Sequence, residues 1–386
     1  MSKESKSLSL SSISLLLILA FGCQSSDSLT PEENGKGIVL NTPGALEVVP
    51  EADIDQESFK LPSSFILEGP PIISQRSTSK CVAFSGAYYI MSMYNGLNGT
   101  TTNNDIAGSP EFAYAYYKKV ANDNDCNEGA YLFNEGGDKG IAEILKTVGT
   151  TSWNQMPFIN SKVCSITNST QVSQAASNKI SGYYRLDKAE YNNVNEIKTW
   201  LYGGYPLWFA VNTEDNWNNI GTGVWSQSTG KDGGHAMVII GYDDTKKALR
   251  IANSWGTNWG DNGYGWIDYD YFVKLINVTQ TIGVLYPNEV QKANLGKLSP
   301  GNCTKSGWGR ITLNNQRNEE IAVVMTGQNN YLNDNADNTD AKESQDFIGI
   351  PKGGLTLKIY NKTKTTLIKE YQATVTPCEV VVITVN

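Results

Sequence analysis

Apolar and polar positions fall into blocks along this chain, and the block around residue 240 is the sharpest. Ala236-Met237-Val238-Ile239-Ile240 runs unbroken from Gly233-Gly234-His235 to Gly241 and predicts a buried strand. The polar Asp243-Asp244-Thr245-Lys246-Lys247 predicts a turn, and Ala248-Leu249-Arg250-Ile251-Ala252-Asn253 a returning strand. A hairpin folded symmetrically about Asp244 sets His235 directly opposite Asn253, with Cβ atoms roughly 5 Å apart. Upstream, the apolar and small residues from Cys81 to Tyr94 predict a buried helix ending near Asn95-Gly96. Ser77, Thr78 and Ser79 offer N-cap oxygens for it.

The two ends of the chain carry other patterns. Lys3 and Lys6 precede a mainly apolar stretch, Ile13 to Phe21, too short to cross a bilayer as a mature helix. This identifies residues 1–22 as an export signal. Residues 23–61 are polar and acidic, with Pro31, Pro43 and Pro50 and little periodicity, and read as a flexible tether. Beyond Pro287, residues 291–300 read as a linker. Four short apolar runs follow, from Gly309 to Leu313, Ile321 to Met325, Leu355 to Tyr360 and Val380 to Val385, separated by Asn-, Asp- and Gly-rich turns. They predict a small β-sandwich accessory domain over residues 301–386.

Candidate chemistry gathers at the hairpin and the buried helix. His235 is the only histidine in 386 residues, and imidazole is the side chain that ordinarily titrates near neutrality. A lone histidine beside a strand is commonly a hydrogen-bonded structural residue. The amide predicted across the hairpin changes that, because an Asn carbonyl accepting from one ring nitrogen fixes the tautomer and leaves the other for chemistry. Cys81 supplies a nucleophile, since a thiol in the first turn of a helix feels the positive end of the macrodipole, and Lys80 acts in the same direction. The alternative for Cys81 is a small buried hydrophobe.

Three segments carry a family resemblance. Gln75…Cys81-Val82-Ala83-Phe84-Ser85, Gly234-His235-Ala236 and the block from Asn253-Ser254-Trp255-Gly256 to Gly263-Tyr264-Gly265 resemble, in the same order, the glutamine-nucleophile, histidine and asparagine segments of papain-like cysteine peptidases. Leu61-Pro62-Ser63-Ser64-Phe65 resembles the start of a mature peptidase domain, and Ser109-Pro110-Glu111-Phe112 its second helix. The resemblance implies an α+β, papain-like two-lobe fold over residues 62–290, with a helical left lobe and a β-barrel-like right lobe. It implies Cys81, His235, Asn253 and Gln75 as catalytic residues. Gly136 and Gly137 match the pair whose backbone binds the substrate main chain, glycine allowing close backbone approach. Ala236 would line the pocket for the second residue before the cut, Trp259 would stand on the leaving-group side, and Trp255 would shield the His235–Asn253 hydrogen bond.

There are departures. Val82 stands where the family usually has Trp, and Arg76-Ser77-Thr78-Ser79-Lys80 replaces a glycine-rich, cysteine-containing approach. One family disulfide is therefore absent, and the oxyanion loop must be braced differently. No helical propeptide pattern precedes the domain, so either the short leading segment inhibits in another way or a propeptide does not control activity.

Of the six cysteines, Cys126 and Cys164 fall where the resemblance implies a disulfide. Cys303 and Cys378 would close a loop in the C-terminal region, although spacing alone does not fix pairing. Two bridges imply an oxidising compartment; four thiols in a cytosolic protein are the alternative, against which the export signal argues. Cys23, directly after the signal, resembles the lipid-modified cysteine of bacterial lipoproteins, with Phe21 departing from the usual small residue. A lipidated Cys23 would anchor the protein to a membrane in the cell envelope, as an outer-membrane lipoprotein; ordinary signal cleavage would make it secreted.

Thirty-one basic against 39 acidic residues give a net charge of −8, which disfavours nucleic-acid binding. A single histidine leaves zinc chemistry without its usual ligands, and no metal or other cofactor is expected. The Asp- and Asn-rich stretch from Asp334 to Asp346 reads as a solvated loop rather than a Ca²⁺ site. The sequence thus points to a cysteine-type endopeptidase acting on protein or peptide substrates, with an accessory domain that binds protein or carbohydrate or serves as a spacer. Alternatives are a catalytically weak or inactive surface binding protein on a peptidase scaffold, or a cell-wall peptide amidase or transpeptidase.

Overall fold

The computed structural model describes residues 38, 40, 61–99, 102–135, 139–230, 233–288, 290–291, 308–327, 332–339, 341–342, 344–351, 353–376 and 380–386. The expected export signal, Cys23, Gly136, Gly137, Cys303 and Cys378 lie outside the described residues.

One sheet organises the N-terminal part. Its strands are β1 (Ser64–Ile66), β2 (Gly182–Arg185), β3 (Leu207–Asn212), β4 (Val224–Trp225), β5 (Gly234–Asp243), β6 (Ala248–Ala252), β7 (Tyr264–Asp268) and β8 (Ile282–Tyr286). They run in the order β2-β8-β3-β5-β6-β7-β4, with β1 added to the far end of β5. The barrel-like lobe expected from the resemblance is thus an open sheet. The two-residue β4 pairs with β7 and β2 with β8, and so short an outer strand presents too little ladder to carry the sheet round to its other edge.

The apolar run after His235 does form a central strand. Every β5 residue from His235 to Tyr242 is buried, since β3 and β6 flank it and the helices beginning at Cys81 and Val194 pack on it. Its register with β6 differs from the symmetric hairpin. Val238 stands opposite Ala252 and, after a bulge between Ile239 and Gly241, Tyr242 stands opposite Leu249. The chain turns through four residues, 244–247, because Asp243 Oδ1 accepts from the Thr245 and Lys246 N–H groups and Lys247 takes a positive φ of 51°. Extending this register places Asn253 level with Met237 rather than His235. Side chains two apart share a face, so His235 and Asn253 become diagonal neighbours.

The predicted buried helix spans Cys81–Ala83 and Met91–Tyr94, with Phe84–Ile90 between them as π-helix. It ends as expected, at a C-cap Asn95 followed by Gly96 with φ 86°. Its N-cap is Lys80, without a side-chain cap. Thr78 and Ser79, expected to cap, donate instead to the Gln75 and Asn127 carbonyls, because the loop is pinned to walls on either side. The next helix, Pro110–Val120, opens on Ser109, whose Oγ accepts from the Phe112 N–H at 3.0 Å.

In the C-terminal part, strands β9 (Trp308–Asn315), β10 (Ile321–Gly327), β11 (Leu332–Thr339), β12 (Ser344–Pro351), β13 (Gly353–Asn361), β14 (Leu367–Val375) and β15 (Val380–Val385) form two sheets, β11-β10-β13-β14 and β12-β9-β15. Side chains from both, among them Ile311, Leu313, Val323, Leu357 and Ile383, share one buried cluster. The stretch from Asp334 to Asp346, expected as a loop, belongs largely to β11 and β12. Both are outer strands of their sheets, where polar composition is normal.

Candidate active site

The geometry begins with one amide. Asn253 Oδ1 accepts from the Ser254 N–H at 2.7 Å and lies 2.7 Å from His235 Nε2. A backbone N–H can address only the oxygen of a carboxamide, so the first bond fixes which way the amide points. Nε2 must then carry the proton, and Nδ1 is the basic nitrogen. His235 is fully buried, and Trp255 stacks on its ring with centroids 4.5 Å apart and planes at 24°. Trp255 thus packs over the ring whose Nε2 meets Asn253.

The Asn253 block also fixes the segment before the nucleophile. Gln75 N–H donates to the Ser254 carbonyl at 2.8 Å, Ser254 Oγ donates to Gln75 Oε1 at 2.5 Å, and Gln75 Nε2 donates to the Thr78 carbonyl at 2.8 Å. With Oε1 held by Ser254, the carboxamide of Gln75 turns its N–H groups along the loop that leads to Cys81. Cys81 is a fully buried thiol whose helix packs against β5, the strand that carries His235. Ser85 Oγ lies 2.8 Å from the Cys81 carbonyl and accepts from Trp208 Nε1 at 2.7 Å, tying the first turn to β3. Gly263, in the same signature block, has φ 89°, and a Cβ there would come within 2.3 Å of Ile72; only glycine lets the loop close.

Trp255 and Trp259, edge-on with centroids 5.4 Å apart, help line a cleft of about 440 Å³ with Ser74, Arg76 and Asn218. Trp259 Nε1 donates to the Asn218 carbonyl at 3.0 Å. Ala236 is buried and borders a narrow crevice with Phe84, Ser85, Ala252 and Asn253.

A family model for papain family cysteine proteases matches residues 74–281, which contain all of these groups. The chain belongs to the papain family. Among its curated relatives, gamete and mating-type specific protein A of Dictyostelium discoideum is 26% identical over 195 residues, covering 50% of this chain and 39% of that protein. Cathepsin B-like cysteine proteinase 4 of Caenorhabditis elegans is 24% identical over 197 residues, 48% of this chain and 57% of that protein. The chain thus spans about half the length of these relatives. Among solved structures, xylellain, a cysteine protease from Xylella fastidiosa, superposes with a TM-score of 0.55 at 20% identity, over 67% of this chain and 97% of that one. That likeness is one of fold.

Two local features lie beside Cys81 and His235. The first is the brace near Cys81. Cys126 and Cys164 are joined, with Cα atoms 5.3 Å apart. The loop before the nucleophile is held by Ser79 Oγ donating to the Asn127 carbonyl at 2.5 Å and by a buried ion pair, Lys80 Nζ to Glu111 Oε2 at 2.6 Å. Lys80, expected to favour the Cys81 thiolate by its charge, is neutralised by Glu111 and points into the helical lobe between Phe158 and Tyr114. The second is the leading segment. Ile38 bridges Ala130 in parallel, and a Cβ on Gly234 would meet Ile38 Cγ2 at 2.6 Å and Leu40 Cγ at 3.6 Å. Two residues read from sequence as tether thus pack beside the residue that precedes His235.

Sequence reasoning passed over Ser254, Glu111 and Ser85 as functional partners. All three lie inside segments that carried the family resemblance, but their partners are 179, 31 and 123 residues away in sequence.

Proposed function

We propose that this chain is an exported cysteine endopeptidase. The observation that carries the reading is Asn253 Oδ1 held by the Ser254 N–H against His235 Nε2, from which the tautomer of His235 follows. With Nε2–H committed to Asn253 Oδ1, Nδ1 serves Cys81. The Cys81 thiolate attacks the scissile carbonyl carbon, forming the S–C bond, and the negative charge passes to the carbonyl oxygen. Gln75 Nε2–H and the Cys81 N–H stabilise that oxyanion, where removal of one donor costs about 10²–10³ in rate. The His235 imidazolium protonates the leaving amine as the C–N bond breaks; its Nδ1 then takes a proton from the water that hydrolyses the thioester.

Gly136, Gly137 and Ala236 hold the substrate main chain and the second residue before the cut, and Trp259 the leaving-group side. The protein is anchored in a bacterial envelope through lipidated Cys23. The C-terminal module is a β-sandwich, with Cys303 paired to Cys378, that docks protein or carbohydrate.

The test is a profile of cleaved peptide libraries with a Cys81→Ala control, together with thiol alkylation at pH 6. Cys81 is expected to be labelled selectively, and the Ala variant to lose all hydrolysis. Cleavage that survives Cys81→Ala sinks the reading. Peptide hydrolysis should follow a bell in pH whose limbs, near about 4 and about 8.5, belong to the coupled Cys81–His235 pair. A single ascending limb near the upper value would show that the thiol is not activated.

A further inference from the structure

We propose that the buried Lys80–Glu111 pair is a positioning device for the oxyanion site: it fixes where the Cys81 N–H points. This rests on the peptidase reading above. Lys80 and Glu111 are each 1% exposed and meet at 2.6 Å. Lys80 Nζ also donates to the Ile159 carbonyl at 3.2 Å and sits 5.3 Å from the centre of the Phe158 ring. Glu111 Oε2 accepts from the Ile159 N–H at 3.2 Å, and Oε1 accepts from Ser165 Oγ. One cation thereby joins the residue before the nucleophile to the helix Pro110–Val120 and to the segment that ends in the disulfide cysteine Cys164.

The position of this node gives it a role beyond packing. Two donors form the oxyanion site, Gln75 Nε2–H and the Cys81 N–H, and five residues separate them. Gln75 is tied to Ser254 on the right lobe. Ser79 and Lys80 are tied to Asn127, Glu111 and Ile159 on the left. The N-cap makes no side-chain cap; Ser85 ties the first turn to β3 through the Cys81 carbonyl, and the Lys80 anchor holds the other side of the peptide that carries the Cys81 N–H and sets its orientation. A buried ion pair is a weak source of stability compared with a neutral pair of similar volume, but it is directional. A displacement near 1 Å at a reacting group costs about 10² in rate.

The test compares wild type with Lys80→Met/Glu111→Gln, which removes both charges and keeps the volume; the glutamine oxygen accepts from the Ile159 N–H and its NH2 donates to Ser165 Oγ. Three readouts separate a positioning role from a structural one. Iodoacetamide alkylation of Cys81 needs the thiolate but no oxyanion site. Peptide hydrolysis needs both. A peptide aldehyde adds the thiol across its C=O, forming the S–C bond while the proton goes to oxygen, and its affinity reads the oxyanion site without turnover.

We expect kcat to fall about 10- to 100-fold with KM within about twofold, aldehyde affinity to fall in parallel and the alkylation rate to hold. Lys80→Arg, which retains the cation, should recover most of the loss. Equal kcat and aldehyde affinity in the double variant would overturn the proposal, and so would a parallel loss of alkylation, which marks a general loosening. If wild type cleaves no peptide, the peptidase reading fails first, and the aldehyde-to-alkylation ratio still decides the positioning role.

Discussion

Asn253 Oδ1 joins His235 to the Ser254 N–H: one oxygen, two donors, both at 2.7 Å. Asn253→Ala is expected to lower kcat by about one to two orders of magnitude while Cys81 stays alkylatable, and His235→Ala by far more. Adding Asn253→Ala to His235→Ala should cost almost nothing further, because residues acting as a unit are not additive. Multiplying losses in that double variant would show that Asn253 works independently of the ring. The family was legible from sequence because the segments around Cys81, His235 and Asn253 carry its resemblance. The partner of Lys80 was not: nothing in Ser79-Lys80-Cys81 says that the ammonium pairs with a carboxylate 31 residues on.

The hairpin shows what is lost when an element is read without its neighbours. Periodicity found β5 and β6, but the register followed from Asp243 capping its own turn and from a bulge beside β1. Ile38 and Leu40 were invisible for a related reason, since the three apolar residues Ile38-Val39-Leu40 in a polar segment are too few to establish a period. Their packing against Gly234 leads us to expect that Ile38→Asp raises peptide hydrolysis several-fold by loosening the leading segment from the His235 side of the cleft, measured as kcat/KM on a short fluorogenic peptide. Unchanged kcat/KM would mean that the segment does not obstruct substrate.

A second element-scale prediction concerns the helix Lys188–Asn192, whose capping-box residue Glu190 has its carboxyl pushed up to about 7 by burial. An acid with a folded pKa raised above its unfolded value favours the folded state while protonated. Stability from Glu190 therefore falls as pH rises from about 4.3 to about 7. Glu190→Gln should raise the melting temperature at pH 8 relative to wild type and leave it nearly unchanged at pH 4. A difference of the same size at both pH values would argue against titration as the cause.

On the scale of the whole molecule, the cluster around Leu357 and the cluster around Cys81 and β5 share no residue among those described. Leu357→Ala, at a fully buried site, should destabilise the C-terminal module by about 2–5 kcal/mol, read as its own thermal transition, with no change in Cys81 alkylation. A drop in alkylation would show that the two parts are coupled.

The sequence by itself placed Cys81, His235, Asn253 and Gln75 in segments that resemble, in the same order, those of the papain family, and the family match over residues 74–281 agrees with that resemblance. It also determined most strands of the C-terminal module, where apolar runs are bounded by turn residues. Tertiary structure alone decided the remainder. The open sheet follows from a β4 too short to continue the ladder, the diagonal reach from His235 to Asn253 from a bulge beside β1 and a turn over 244–247, and the burial of Lys80 from a carboxylate on another helix. The β1 pairing beside the bulge and the Lys80–Glu111 pair are contacts between segments far apart in sequence, and local pattern carries no information about which distant group will be there to meet it.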